Sequence, residues 1–217
     1  MQGNCRTEAE QKGIMKNHIL KYMERLDSLT FNHSARVMMI ASEIEEYMGV
    51  LDHKLMNAAL FHDIGKIYVP YNILDKNGRL TKLERELVDL HPYSGYIVLS
   101  DLGVDEDICR IVLYHHGFSP LYIRDLPHYN TGLIYQKTCI LRTIDSFEAL
   151  TSDRAYHRGL PSRDAIDILL KEGIYDVTAM EYLKKMSESD NEETAVRRKW
   201  KELSFEEIEN IIKGMEL

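Results

Sequence analysis

Residues 61–66 read FHDIGK, and two of them can bind a metal. Neighbours on a helix point about 100° apart, so His62 and Asp63 do not chelate one ion as an i, i+4 pair would. They suit a two-metal site, in which the carboxylate bridges and the imidazole caps one ion. The apolar run Ala58, Ala59, Leu60, Phe61 precedes them and places them on an element with a buried side. Gly65 is expected to let the chain leave a helix through a left-handed cap. Lys66, three residues after Asp63, is expected one turn away from it. Further candidate ligands are His33, His91, His115, His116 and Asp145. Singly, each has a bland reading: a helical His is more often structural, and an Asp beside an apolar stripe more often caps or pairs. The set counts because several members sit at helix ends or on inward-facing helices, where an imidazole or a charge needs a partner. His18, His53 and His128 are expected to be exposed or structural.

Helices must position these groups. Apolar spacing near 3.6 predicts helices over about 7–27, 28–47, 52–64, 81–91, 93–99, 105–116 and 138–150. Further helices are expected near 162–171, 178–186 and 204–215. Asp27 or Ser28, Thr81 with Glu84, Asp105, and Ser204 with Glu207 supply start signals. Gly49 supplies a stop, and His91–Pro92 resets the chain between two helices. Residues 117–136 have little period and several aromatics (Phe118, Tyr122, Tyr129, Tyr135), so a long functional loop is expected. The fold class is all-α. The expected division is a core over 1–160 with C-terminal helices over 161–217 packing on it or at an interface.

Composition narrows the function. The chain has 217 residues, 44% of them hydrophobic, with 12 Gly and 5 Pro, enough apolar content for one core and too few turn residues for a sandwich. No apolar run is long enough to span a membrane, and no signal peptide is read at the N-terminus. Three scattered cysteines (Cys5, Cys109, Cys139) without CxxC spacing read as reduced thiols, with packing expected for Cys109 and Cys139. A cytoplasmic protein is expected, acting as a stand-alone effector or through a partner. The net charge of −8 disfavours a nucleic-acid polymer. It leaves room for a small anionic substrate, because metals and local cations set the field inside a cleft.

The ordered set His33 with Arg36, FHDIGK at 61–66, HPYSG at 91–95, YHH at 114–116 and IDSFEALTSDRAY at 144–156 resembles the HD-GYP branch of the HD phosphohydrolases. The match spans about residues 29–160. It implies an all-helical HD bundle with a metal centre in its core, and hydrolysis of a small nucleotide, cyclic di-GMP, through pGpG. Carried over by position, one metal takes His33, His62, Asp63 and Asp145. A second shares Asp63 and takes His91, His115 and His116. Lys66 matches a lysine facing the substrate phosphate, and Arg154 an arginine that contacts the phosphodiester.

The departures from the pattern concern substrate rather than metal. Where the family signature continues HHE and later Gly-Tyr-Pro, this chain reads HHGFSPLYIRDLPHYNTG, so Gly117 replaces the glutamate. Leu29 stands where a glutamate supports a third metal in some members, so two ions are expected. His157 and Cys139 stand where basic residues are common. The ligand types suit Fe, Mn, Zn or Ni without choosing among them. Two such ions lie about 3.5–4 Å apart in known sites and acidify a bridging water to a pKa of about 7. The resulting hydroxide is expected to attack phosphorus in line. Asp63 would hold the ions, and Lys66 and Arg154 would stabilise phosphoryl charge. Three readings stay open: a cyclic-dinucleotide phosphodiesterase, an HD phosphohydrolase for another nucleotide or phosphoester, and a silent nucleotide- or partner-binding module. The helices after 160 are the expected site of a homodimer or signalling-partner contact.

Overall fold

Helix α2 (Ser28–Met48) runs through the middle of the bundle. Its N-cap is Asp27, whose Oδ1 accepts from the Thr30 amide at 3.0 Å, and Gly49 ends it in the left-handed conformation at φ 68°. Its nine buried residues, including Ala35, Val37, Ile40, Ala41 and Ile44, serve packing against the helices over Lys54–Phe61, Gly132–Thr151 and Val177–Ser189, so its buried face is wide. The computed structural model describes residues 7–117, 132–153, 158–189 and 202–217. Among these residues there is no strand.

The order is α1 (Glu8–Met23), α2, α3 (Lys54–Phe61), a 3₁₀ turn (Ile64–Tyr68), α4 (Tyr71–Leu74), α5 (Lys82–Val88), α6 (His91–Asp101), α7 (Glu106–Tyr114) and α8 (Gly132–Thr151). Then come α9 (Ser162–Glu172), α10 (Val177–Ser189) and α11 (Phe205–Gly214). Helix α3 packs on α2 and α7, α8 packs on α2 and α7, and α6 packs on α7 and the 3₁₀ turn. The C-terminal helices join the same core: α9 and α10 lie on α8, and α11 lies on α1. The Asn57 side-chain amide donates to the Glu216 carbonyl at 2.9 Å, which ties the chain end to α3.

Several sequence expectations shift in the structure. The helix after His53 stops at Phe61, and residues 64–68 tighten into 3₁₀ geometry. Gly65 does not adopt positive φ. It serves close approach instead: a Cβ there would lie 2.1 Å from the His91 carbonyl oxygen and 2.5 Å from the Gly95 nitrogen. Helix α8 begins at Gly132, earlier than the pattern indicates. Lys137 hides the start, because it is fully buried where a lysine reads as solvent-facing. Its ammonium pairs with Asp52 and, at 3.5 Å, with Glu45. Cys109 is buried and its thiol is pushed up to about 12 by that burial, as expected of a packing cysteine, whereas Cys139 is half-buried. His18 and His53 are exposed, as expected. Phe118, Tyr122, His128, Tyr129, Arg154 and His157 lie outside the described residues.

Candidate metal centre

All seven candidate ligands converge, although they come from five helices and one turn. His33 projects from α2 and Asp145 from α8. His62 and His115 are the C-caps of α3 and α7, His91 opens α6, and Asp63 caps the 3₁₀ turn. Asp63 has φ −97° and ψ 3°, the sparsely populated bridge region where many active-site residues sit. Helix ends place these groups for a reason. Each leaves unpaired carbonyls, and three of the histidines use one. Nδ1 of His62 donates to the Ala59 carbonyl at 2.8 Å, that of His91 to Val88 at 2.7 Å, and that of His115 to Val112 at 2.6 Å. Each bond runs back three residues. It puts the ring proton on Nδ1 and turns the Nε2 lone pair toward the centre.

The nitrogen atoms so aimed are crowded. Nε2 of His33 and His62 are 3.2 Å apart, and Nε2 of His91 and His115 are 3.3 Å apart. Burial lowers the pKa values of His62 and His115, which favours the neutral rings whose Nε2 lone pairs can bind a cation. Asp63 faces both halves. Its Oδ1 lies 3.1 Å from His91 Nε2, while its Oδ2 lies 3.4 Å from His62 Nε2 and 3.8 Å from His33 Nε2. Asp145 Oδ1 is 3.0 Å from His33 Nε2 and 3.8 Å from His62 Nε2. Three ligand-compatible groups result, with ligand atoms within 4.8 Å of one another: His33, His62 and Asp145; His62, Asp63 and His115; His91, His115 and His116. An acceptor-rich pocket with a carboxylate shared between its halves fits divalent cations of the imidazole- and oxygen-binding kind.

The electrostatics agree. Burial opposes ionisation of Asp63, but Lys66, His62 and His91 outweigh it and hold the carboxyl well below the usual range. Lys66 Nζ donates to Asp63 Oδ2 at 2.6 Å. Burial disfavours the charged form of His33, yet its hydrogen bonds to Asp145 and Glu148 raise it to about 9.

Glu148 is the residue that sequence reasoning missed. It is 2% exposed. It accepts from His33 Nδ1, from Arg36 Nε at 2.5 Å and from Ser152 Oγ. His33 thus differs from the other three oriented histidines in leaning on a carboxylate rather than a carbonyl. Arg36 braces the group that braces His33. The available signal was position, since Glu148 lies three residues after Asp145 on one helix face. Replacing Glu148 with glutamine keeps the shape but removes the charge. The expected result is about 10- to 100-fold weaker metal affinity, read by competition with a chelator, with helicity unchanged. Unaltered affinity would show that Glu148 only packs.

Two clefts open on the centre. One, of about 320 Å³, is lined by Leu29, Arg36, Tyr71, Glu148, Ser152, His33 and Lys66. The other, of about 1420 Å³, reaches from His33, Asp63, Lys66, His116 and Asp145 to residues 85–92 and Leu83. Lys66 lines both. His116 is the most open of the candidate ligands.

The family profile of the HD domain matches residues 30–150, more than half of the chain. This chain belongs to the HD domain family. Membership implies divalent-metal binding, and the described residues include His and Asp clusters that could hold such ions. The chain is 32% identical over 148 residues to a cyclic di-GMP phosphodiesterase of Pseudomonas aeruginosa, covering 64% of this chain and 34% of that protein. It is 31% identical over 154 residues to a 3'3'-cGAMP-specific phosphodiesterase of Vibrio cholerae, covering 69% of this chain and 33% of the relative. The chain spans about a third of the length of these curated relatives. Among solved structures it resembles the HD domain of the Listeria monocytogenes phosphodiesterase PgpH, with a TM-score of 0.58 at 18% identity over 77% of this chain and 94% of that one. A second structure of that domain, in complex with cyclic-di-AMP, gives a TM-score of 0.54 at 16% identity over 85% and 96% of the two chains. These structural likenesses establish the all-α HD fold. Among the described residues, no helix is long and apolar enough to cross a membrane.

Proposed function

We propose that the chain is a metal-dependent phosphodiesterase that opens a cyclic dinucleotide of the cyclic di-GMP type. The observation that carries this reading is Asp63, whose two oxygens face two separate histidine groups beside a cationic side chain at the floor of a wide cleft. His33, His62, Asp63 and Asp145 would hold one ion, and Asp63, His91, His115 and His116 the other. Bound there, divalent ions supply Lewis acidity toward a phosphoryl oxygen and acidify a water nucleophile. Iron and manganese head the choice of metal, with nickel and zinc compatible with the same donors. The relatives named above, which act on cyclic di-GMP and 3'3'-cGAMP, support the substrate class.

The protein's own groups do the rest. Asp63 and the carbonyl-anchored histidines set ligand geometry before substrate arrives. Lys66 shares Asp63 Oδ2 and is 22% exposed, so it can turn its ammonium toward a phosphate in either cleft. Arg154 is proposed as a second phosphate contact. Lys66→Ala is expected to cut turnover about 100-fold while metal content stays near wild type. Equal loss of metal and activity would make Lys66 a structural partner of Asp63 instead.

A second reading, an HD phosphohydrolase for a different nucleotide, is favoured by Gly117 and the absence of Gly-Tyr-Pro in HHGFSPLYIRDLPHYNTG. A substrate panel decides between them: cyclic di-GMP, cyclic GMP-AMP, dNTPs, nucleoside monophosphates and bis-p-nitrophenyl phosphate, with Mn or Fe. Metal content is measured on the same samples. Turnover of dNTPs or monophosphates alone, at full metal loading, would replace the first reading with the second.

A further inference from the structure

Helix α5 is anomalous. It buries none of its residues, although its cap is fully built. Thr81 Oγ1 accepts from the Glu84 amide at 3.3 Å, the Glu84 carboxylate accepts from the Thr81 amide at 2.7 Å, and Lys76 pairs with Glu84 at 2.6 Å. A short helix held by its cap rather than by a core is free to display its apolar side. Leu83, Leu87 and Leu90 stand at i, i+4 and i+7, one face of the helical repeat continued past its end. They are 73%, 45% and 40% exposed. All three line the wide cleft, together with His33, Asp63, His116 and Asp145. Leu90 is the residue immediately before His91.

We infer that Leu83, Leu87 and Leu90 form the wall against which a nucleobase of the substrate lies. The inference rests on the phosphodiesterase reading and deepens it. A site made only for a phosphoryl group would need cations and acceptors, and those are on the cleft floor. An apolar wall continuous with that floor matches a ligand that is anionic at one end and flat and weakly polar at the other. A phosphodiester carrying a heteroaromatic base has that form. Leucine contacts the face of a ring and offers nothing to its hydrogen-bonding edge. The wall therefore selects for the presence of a base and leaves its identity to polar groups elsewhere.

The test uses the full chain loaded with Mn, comparing wild type with Leu87→Ser and with Leu83→Ser/Leu87→Ser. Metal content, melting temperature and oligomeric state are measured alongside KM and kcat for the cyclic dinucleotide that the wild type cuts fastest. Binding of a phosphorothioate cyclic dinucleotide is measured by calorimetry. Loss of one leucine contact is expected to raise KM and Kd about 10-fold, and of two about 100-fold, with kcat changed far less. Melting temperature should move by no more than about 2 °C, since the leucines are exposed. The wall assignment falls if KM and Kd are unchanged. It also falls if melting drops by many degrees, which makes the stripe a packing surface of the chain. A shift from dimer to monomer with unchanged KM overturns it as well, in favour of a subunit contact. If fully metallated wild type cuts no cyclic dinucleotide, the phosphodiesterase reading fails, and the calorimetry decides the wall alone. Weaker binding by the variants sustains it, and equal or absent binding ends it.

Discussion

Asp63→Ala is expected to purify folded, to carry less than one metal ion per chain, and to hydrolyse phosphodiesters about 1000-fold more slowly than wild type or worse. The size of the effect follows from the two directions in which this carboxylate points. Its Oδ1 meets the His91 half and its Oδ2 the His62 and His33 half, so one carboxylate serves both groups. Removing it costs each half an anionic donor at once. It also leaves Lys66 as an uncompensated cation next to four inward-turned imidazoles, which repels any incoming ion. The fold should tolerate the change. Asp63 makes no side-chain cap for the 3₁₀ turn, and Lys66 can swing into water from its partly exposed position. Metal analysis, circular dichroism and bis-p-nitrophenyl phosphate turnover on one preparation check all three parts. Near-normal turnover with less than one metal per chain would remove Asp63, and the two-metal reading, from the mechanism.

The candidate centre was legible in the sequence because its donors occupy positions with few alternative uses. His62, His91 and His115 stand at helix boundaries that Gly, Pro and capping residues already mark. At a helix end an imidazole has an orphan carbonyl three residues back to hold it. Glu148 was not legible for the opposite reason. A glutamate inside a helix is ordinarily solvated, and what makes this one functional is contact with His33, 115 residues earlier in the chain. Lys137 misled in the same way, since a lysine at an inward position breaks the hydrophobic repeat that announces a helix. The helices themselves were read well where apolar spacing was uninterrupted, as in α2, and worst where polar residues are buried, as at the start of α8. Long-range polar pairing has no periodicity, so a one-dimensional reading has nothing to detect.

Gly65 shows a different limit, and it carries the second large effect. Its place after His62 and Asp63 suggests a left-handed helix stop, but its φ is not positive and the constraint is spatial. The 3₁₀ turn lies against the start of α6 so closely that a Cβ on Gly65 would sit 2.1 Å from the His91 oxygen, 2.5 Å from the Gly95 nitrogen and 3.0 Å from the His91 carbonyl carbon. These are backbone atoms, and no rotamer can move them away. Gly95 has its own limit on the facing side, because a Cβ there would meet Val112 Cγ1 at 3.2 Å and Ile64 Cγ2 at 3.4 Å. Two glycines thus let the turn bearing Asp63 and the helix bearing His91 close to the distance at which Asp63 Oδ1 reaches His91 Nε2. Gly65→Ala must push these elements apart by more than an ångström, in an interior packed as tightly as a crystal. The expected cost is about 3 kcal/mol or more, a melting temperature lower by roughly 10 °C, and loss of metal binding even in the fraction that folds. Gly95→Ala, which meets only side-chain methyls and a nitrogen at 3.5 Å, should cost about 1–2 kcal/mol and keep measurable metal affinity. Thermal melts and chelator competition on the two variants give the comparison. Equal, small losses from both would mean that the turn and α6 can slide, and that the spacing of Asp63 and His91 is set by the bound ions rather than by the backbone.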